Sequence, residues 1–265
     1  MYETTYHRPA SVADAASIVA SSSEAKLLAG GQTLLPTMKQ RLAAPEHLVD
    51  IGKLAELKGI TVTGDTVTIG AATKHAEVAA SADVARAIPA LANLASLIGD
   101  PAVRHMGTIG GSVANNDPAA DYPAALLALG ATVVTNKRSI PADEFFTGLF
   151  ETALVDGEII TKVSFPIPHK AAYEKFRNPA SRYAMCGVFV AKTANGVRVA
   201  ATGVGSSGAF RVTAMEQALA ANWSPDAVAS ITVPAGDMLS DIHGSSDYRA
   251  HLVTVMAKRA VAKAG

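Results

Sequence analysis

The chain has 265 residues, 49% apolar and 17% charged, enough for two compact domains and too apolar for intrinsic disorder. Basic and acidic side chains balance at 23 each with no basic block, so nothing points to nucleic acid or to an anionic membrane surface. The one cysteine, Cys186, excludes an internal disulfide and any Cys-built metal site, and its run Met185-Cys186-Gly187-Val188-Phe189-Val190 reads as buried packing.

The opening residues Met1 to Tyr6 show neither a charged n-region nor an apolar h-region. No apolar stretch reaches the roughly 18 residues of a membrane span, so a cytoplasmic, soluble chain is expected. Ser11 is placed to cap a helix from Val12 to about Ser21. Lys26 to Ala29 reads as a strand entering a tight loop at Gly30-Gly31, followed by a helix over Leu34–Leu42 that ends before Pro45. His47 to Ile51 is a second strand, which makes the first fifty-odd residues a small α/β lobe.

Ile60-Thr61-Val62-Thr63 and Val67-Thr68-Ile69 alternate around Gly64-Asp65 and predict a hairpin. Helices are expected from Lys74 to Ala80 and from Ile88 to Ile98. A glycine-rich segment covers Gly107 to Asp121, then a helix from Pro123 to Leu129 and extended chain at Ala131 to Val134. Ile159 to Phe165 is a strand stopped by Pro166 and Pro168, the expected domain boundary. Beyond it, Gly187 to Lys192 and Val197 to Ala201 are strands joined by an Asn195-Gly196 turn. Helices close the chain, the last beginning near Ser245 or Ser246 with Tyr248, Leu252, Val255 and Met256 on one stripe.

Two glycine segments carry the chemical information. In Ala29-Gly30-Gly31-Gln32-Thr33-Leu34-Leu35-Pro36, paired glycines permit positive φ and close backbone approach. Successive N–H groups can then face one anion at a helix start, as a pyrophosphate requires, or the segment is a plain tight turn. In Gly107-Thr108-Ile109-Gly110-Gly111-Ser112, the same features recur. Asp121, ahead of a helix, either accepts from ribose hydroxyls or caps that helix. Neither segment gives Gly-x-Gly-x-x-Gly with an acidic residue about twenty positions on, and neither ends Gly-Lys-Ser/Thr, which disfavours a Rossmann site and a P-loop. Gly99-Asp100-Pro101 and Arg104-His105 read as loop support. His75, His169, His243 and His251 lack metal-ligand spacing, and no Ser/His/Asp order or carboxylate pair suggests a hydrolase.

Together the two segments resemble those of the FAD-binding subunits of molybdenum hydroxylases, the medium subunits of the carbon monoxide dehydrogenase and xanthine dehydrogenase family. The first is similar to Ala-Gly-Gly-x-(Ser/Thr)-Leu-(Leu/Ile)-Pro, and the second to Gly-(Thr/Ser)-(Ile/Val)-Gly-Gly-(Asn/Ser) with a following aspartate. Asp247-Tyr248-Arg249 at the last helix fits as well. The resemblance implies an α+β chain with the vanillyl-alcohol-oxidase (PCMH) type of FAD-binding fold. Two α/β lobes, about 1–55 and 56–168, would form residues 1–168, and a small α/β C-terminal domain would cover 169–265.

It further implies that Ala29, Gly30, Gly31, Gln32, Thr33 and Leu34 wrap the FAD pyrophosphate from one side and Thr108, Ile109, Gly110, Gly111 and Ser112 from the other. Asp121 would match the family's FAD-contacting aspartate and Ile160 an apolar contact. Lys175 or Arg177 would bring positive charge to the flavin. Tyr183 would cover a flavin face, or is a half-buried strand tyrosine. A valine at Gly110 or Gly111 is expected to fill the phosphate's space and leave the fold intact.

The FAD is expected to be non-covalent. The molybdenum cofactor and two [2Fe–2S] clusters are expected in separate large and small partner subunits, arranged as a dimer of heterotrimers. A stand-alone FAD oxidase and a scaffold subunit without flavin are the competing readings.

Overall fold

The computed structural model describes residues 2–265. The chain begins with β1 (Thr5–His7), α1 (Val12–Ser21), β2 (Ala25–Leu28), α2 (Leu34–Lys39) and β3 (His47–Asp50). The three strands form a parallel sheet in the order β1-β3-β2. Ser11 caps α1 as expected, its hydroxyl accepting from the Asp14 N–H at 3.1 Å. Val12 and Ala15 then pack with Val49, Ile51, Leu54 and Leu57. The helix expected over Leu34–Leu42 stops at Lys39, because Arg41 takes a left-handed φ of 62° and Leu42 projects from the surface.

The middle of the chain supplies β4 (Ile60–Thr63), β5 (Thr66–Gly70), α3 (His75–Ala80), α4 (Ala82–Ala87), α5 (Pro89–Ser96), α6 (Pro101–Arg104) and α7 (Ile109–Asn115). It continues with α8 (Tyr122–Leu129), β6 (Thr132–Thr135), β7 (Ser139–Pro141), α9 (Ala142–Phe145), β8 (Phe146–Gly148), β9 (Glu151–Thr152) and β10 (Ile160–Pro166). An antiparallel sheet of order β4-β5-β10-β6-β7 buries Val67, Ile69, Val133, Val163 and Phe165 against the helices. The second glycine segment is not a loop throughout. From Ile109 it coils into α7, capped by Thr108.

The rest is β11 (Lys170–Arg177), β12 (Ala184–Thr193), β13 (Gly196–Thr202), β14 (Phe210–Arg211), α10 (Thr213–Ala221), α11 (Pro225–Val228) and α12 (Ser246–Ala264). The four strands form an antiparallel sheet in chain order. Because side chains alternate along a strand, β12 serves two cores at once. Cys186, Val188 and Val190 join the core that includes α10 and α12, while Phe189 and Ala191 join the core built around α5 and α8. That explains the continuous apolar run in the sequence, and it explains why every residue of α8 is buried. The strand β11, not foreseen from the sequence, pairs along the whole edge of β12.

Candidate functional site

A cavity of about 810 Å³ is lined from all three parts of the chain. Every residue the sequence singled out as a cofactor contact lines it except Ile109 and Arg177. The Ile109 side chain is wholly buried in the large core.

The first glycine segment lines the cavity with its backbone. Gly31 takes φ +71°, and no backbone carbonyl of the described residues accepts from the N–H groups of Gly30, Gly31, Gln32, Thr33 or Leu34. These successive donors lie along the cavity wall between β2 and α2, a concave cradle for an anion. Gln32 reaches back to the Gly30 carbonyl at 3.4 Å.

The second segment differs. The Ile109 N–H donates to the Thr73 carbonyl at 3.1 Å and the Gly110 N–H to that of Ala71 at 2.8 Å. The Gly111 N–H is taken by the Thr108 hydroxyl at 3.2 Å, and Ser112 N–H bonds the Thr108 carbonyl. These donors are spent on anchoring α7 to the end of β5. What the segment offers the cavity is space: a Cβ on Gly111 would meet only the Thr108 hydroxyl at 3.0 Å and the Ala29 methyl at 4.0 Å.

Asp121 neither caps α8 nor stands open. It is buried, accepts from the Tyr173 hydroxyl at 2.5 Å and pairs with the Lys175 ammonium at 3.0 Å. Lys175 also donates to the Leu97 carbonyl at 3.0 Å, and its side chain is 1% exposed. Burial pushes the Asp121 carboxyl above its ordinary range, against the pull of the Lys175 charge and then of the Tyr173 hydroxyl. Arg177 is exposed at the end of β11 and does not line the cavity, so Lys175 is the basic residue of the pair that reaches it. Tyr183 is half-exposed in the turn before β12, directly after Arg182 at φ +62°. It is a rim residue and not a strand tyrosine.

Several lining residues were not foreseen, His75, Phe150 and Glu158 among them. His75 is buried against Gly107, where any side chain would strike its imidazole. Burial, and then the charge of Arg104, hold its pKa down to about 4. Phe150 sits half-exposed between β8 and β9 at φ +56°. The buried Asn116 holds that hairpin, donating to the Gly148 and Glu151 carbonyls at 2.8 Å. Glu158 is paired with Arg138 at 2.9 Å and held down to about 2, chiefly by that bond. None of these has a spacing signal, because their placement depends on contacts between distant segments. Among the described residues no group of three His, Cys, Asp or Glu side chains could hold a metal ion.

A cavity with a row of free backbone N–H groups, a glycine gap and a buried cation marks an α+β protein built to hold a phosphate-bearing ligand. The sequence family described as the FAD binding domain in molybdopterin dehydrogenase matches residues 2–168. The chain is 37% identical to the carbon monoxide dehydrogenase medium chain of Hydrogenophaga pseudoflava over 97% of its own length and 95% of that protein's. It is 30% identical to the xanthine dehydrogenase FAD-binding subunit of Escherichia coli O157:H7, covering 98% and 95%. A structure of reconstituted CO dehydrogenase from Oligotropha carboxidovorans superposes with a TM-score of 0.89 at 33% identity, covering 99% and 97% of the two chains.

The chain belongs to the FAD-binding medium subunits of the molybdenum hydroxylase family. Its fold is the PCMH-type FAD-binding fold expected from the sequence, with the C-terminal α/β part appended. FAD is its cofactor, and the free N–H row with the open face of Gly111 fits a pyrophosphate. No helix of the described residues is long and apolar enough to cross a membrane.

Proposed function

We propose that this chain carries electrons within a three-subunit molybdenum hydroxylase, receiving them from [2Fe–2S] clusters of a small subunit and delivering them to an external acceptor. The carrying observation is that each carboxylate lining the cavity already accepts a structural hydrogen bond, and the two buried ones are paired with a cation. Asp100 accepts from the Val103 N–H, Asp117 from Ala119 N–H, Asp121 from Tyr173 and Lys175, and Glu158 from Arg138. His75, with its pKa near 4, is a poor base at neutral pH. This disfavours a stand-alone oxidase, and the intact anion cradle disfavours a scaffold without flavin.

FAD supplies the redox chemistry when bound. The chain's own tasks are binding, orientation and electrostatic tuning. In this reading Ala29 to Leu34 hold the pyrophosphate through their N–H groups. Thr108, Gly111 and Ser112 leave room for it, with Gly110 packed on Ala71 behind them. Ile160 and Tyr183 supply apolar contact, and the Asp121–Lys175 pair brings a buried cation to the ring system. Residues 1–168 would form the FAD domain and 169–265 a C-terminal domain that closes the site with Lys175 and Tyr183.

With its single cysteine buried in β12, the chain cannot ligate an iron–sulfur cluster. The clusters and the molybdenum cofactor therefore belong in small and large partner subunits, with a dimer of heterotrimers as the proposed assembly. The purified chain should bind FAD yet show no flavin reduction with carbon monoxide, purines, aldehydes or N-heterocycles. Adding the iron–sulfur and molybdenum partners should restore it. Reduction by the isolated chain would instead establish the oxidase.

A further inference from the structure

Tyr173 is a large polar side chain behind the cavity wall that neither spacing nor the glycine segments explain. It lies on β11, wholly buried, with its ring 6.1 Å from that of Phe189. Its hydroxyl reaches across to Asp121 at the start of α8 and donates at 2.5 Å. The reach is possible only because Gly187, on the neighbouring strand, has no side chain. A Cβ there would collide with the Tyr173 hydroxyl and lie 2.9 Å from its Cζ.

Lys175 in turn lies 3.0 Å from each of the two Asp121 oxygens, and the Tyr173 hydroxyl donates to one of them. The Lys175 ammonium has three N–H donors, and two are committed, to Asp121 and to the Leu97 carbonyl. One N–H remains on a side chain that lines the cavity. A buried carboxylate held by a flexible lysine alone can turn with it, whereas a second donor from a ring fixed in the core holds its plane. The position of the cation is thus set by a residue that does not itself line the cavity.

We propose that Tyr173 is a positioning residue for the flavin site: through Asp121, and in the space left by Gly187, it fixes the Lys175 ammonium so that its remaining N–H meets the flavin. This rests on the reading that Lys175 faces the flavin, and it adds Tyr173 and Gly187 to that site.

The test uses the full chain loaded with FAD and three variants, Tyr173→Phe, Gly187→Ala and Lys175→Met. For each, the FAD dissociation constant, the visible flavin spectrum, the midpoint potential and the thermal midpoint of the FAD-free chain are measured. Tyr173→Phe keeps the ring in its packing. It should weaken FAD binding roughly tenfold and lower the potential in the same direction as Lys175→Met, by a smaller amount. Gly187→Ala should do the same, because the added methyl displaces the hydroxyl.

If Lys175→Met changes affinity and potential while Tyr173→Phe and Gly187→Ala leave both unchanged, the positioning role is wrong and the Lys175 reading stands. If Lys175→Met also leaves both unchanged, the placement of Lys175 at the flavin is wrong and the proposal falls with it. If Tyr173→Phe lowers only the thermal midpoint, its role is structural and the proposal is overturned.

Discussion

Gly30 and Gly107 are packed so closely that a methyl group on Gly30 would lie 2.7 Å from the Gly107 Cα. The two glycine segments, far apart in sequence, therefore meet, and the cavity opens beside that contact rather than between two separated jaws. Gly30→Ala should prise the lobes apart and lower both stability and FAD occupancy. A variant with unchanged melting temperature and full flavin content would contradict this arrangement.

The two glycines of the second segment should respond differently, although the sequence treats them alike. A Cβ on Gly110 would sit 2.6 Å from the Ala71 Cβ, inside packed protein, so Gly110→Val should destabilise the chain by about 2 kcal/mol or more. Gly111 faces the opening toward Ala29, so Gly111→Val should fold and lose flavin. Circular dichroism melts alongside flavin absorbance separate the two. A stable, flavin-free Gly110→Val protein would reverse the assignment.

Non-covalent FAD is the expected state. Covalent attachment needs a His, Cys or Tyr in an attachment motif, and neither glycine segment holds one, while Cys186 lies inside β12. Acid precipitation should leave all the yellow colour in the supernatant. Flavin that stays with the pellet would refute the claim.

His75 should make the FAD-free chain acid-sensitive. Its folded pKa of about 4 lies below the ordinary 6.5, so the unfolded state binds the proton first. Stability attached to the neutral imidazole is complete above pH 6.5 and is lost as pH falls toward 4, by about 3 kcal/mol across that window. Urea midpoints at pH 7 and pH 4.5 should fall more for the wild type than for His75→Phe. Equal falls would show that the imidazole is not held neutral.

Arg138 should matter more than its half-exposed side chain suggests. It gives the fully buried Glu158 two bonds, at 2.9 and 3.1 Å. Arg138→Ala should cost about 2 kcal/mol at pH 7, and adding Glu158→Gln should recover part of it by removing a buried charge without a cation. A double-mutant cycle in urea reads the coupling, and additive losses would argue against it.

The sequence by itself determined the parts whose physics is local. The Ser11 cap needs only a hydroxyl three residues before an N–H, the Gly64-Asp65 hairpin needs alternation and a turn, and the first anion cradle needs paired glycines between a strand and a helix. The family could be read from those glycine motifs for the same reason. Tertiary structure decided whatever depends on which distant segments touch. It turned Ile109 to Asn115 from an open loop into a capped helix, because Ala71 and Thr73 supply carbonyls to its first N–H groups. It sent Ile109 into the core and left Arg177 outside the cavity. It also engaged Asp121 with Tyr173 and Lys175 from β11, a strand the sequence did not reveal. Burial and pairing of charge depend on three-dimensional proximity, and a spacing rule within one segment carries no information about the partner that arrives from another.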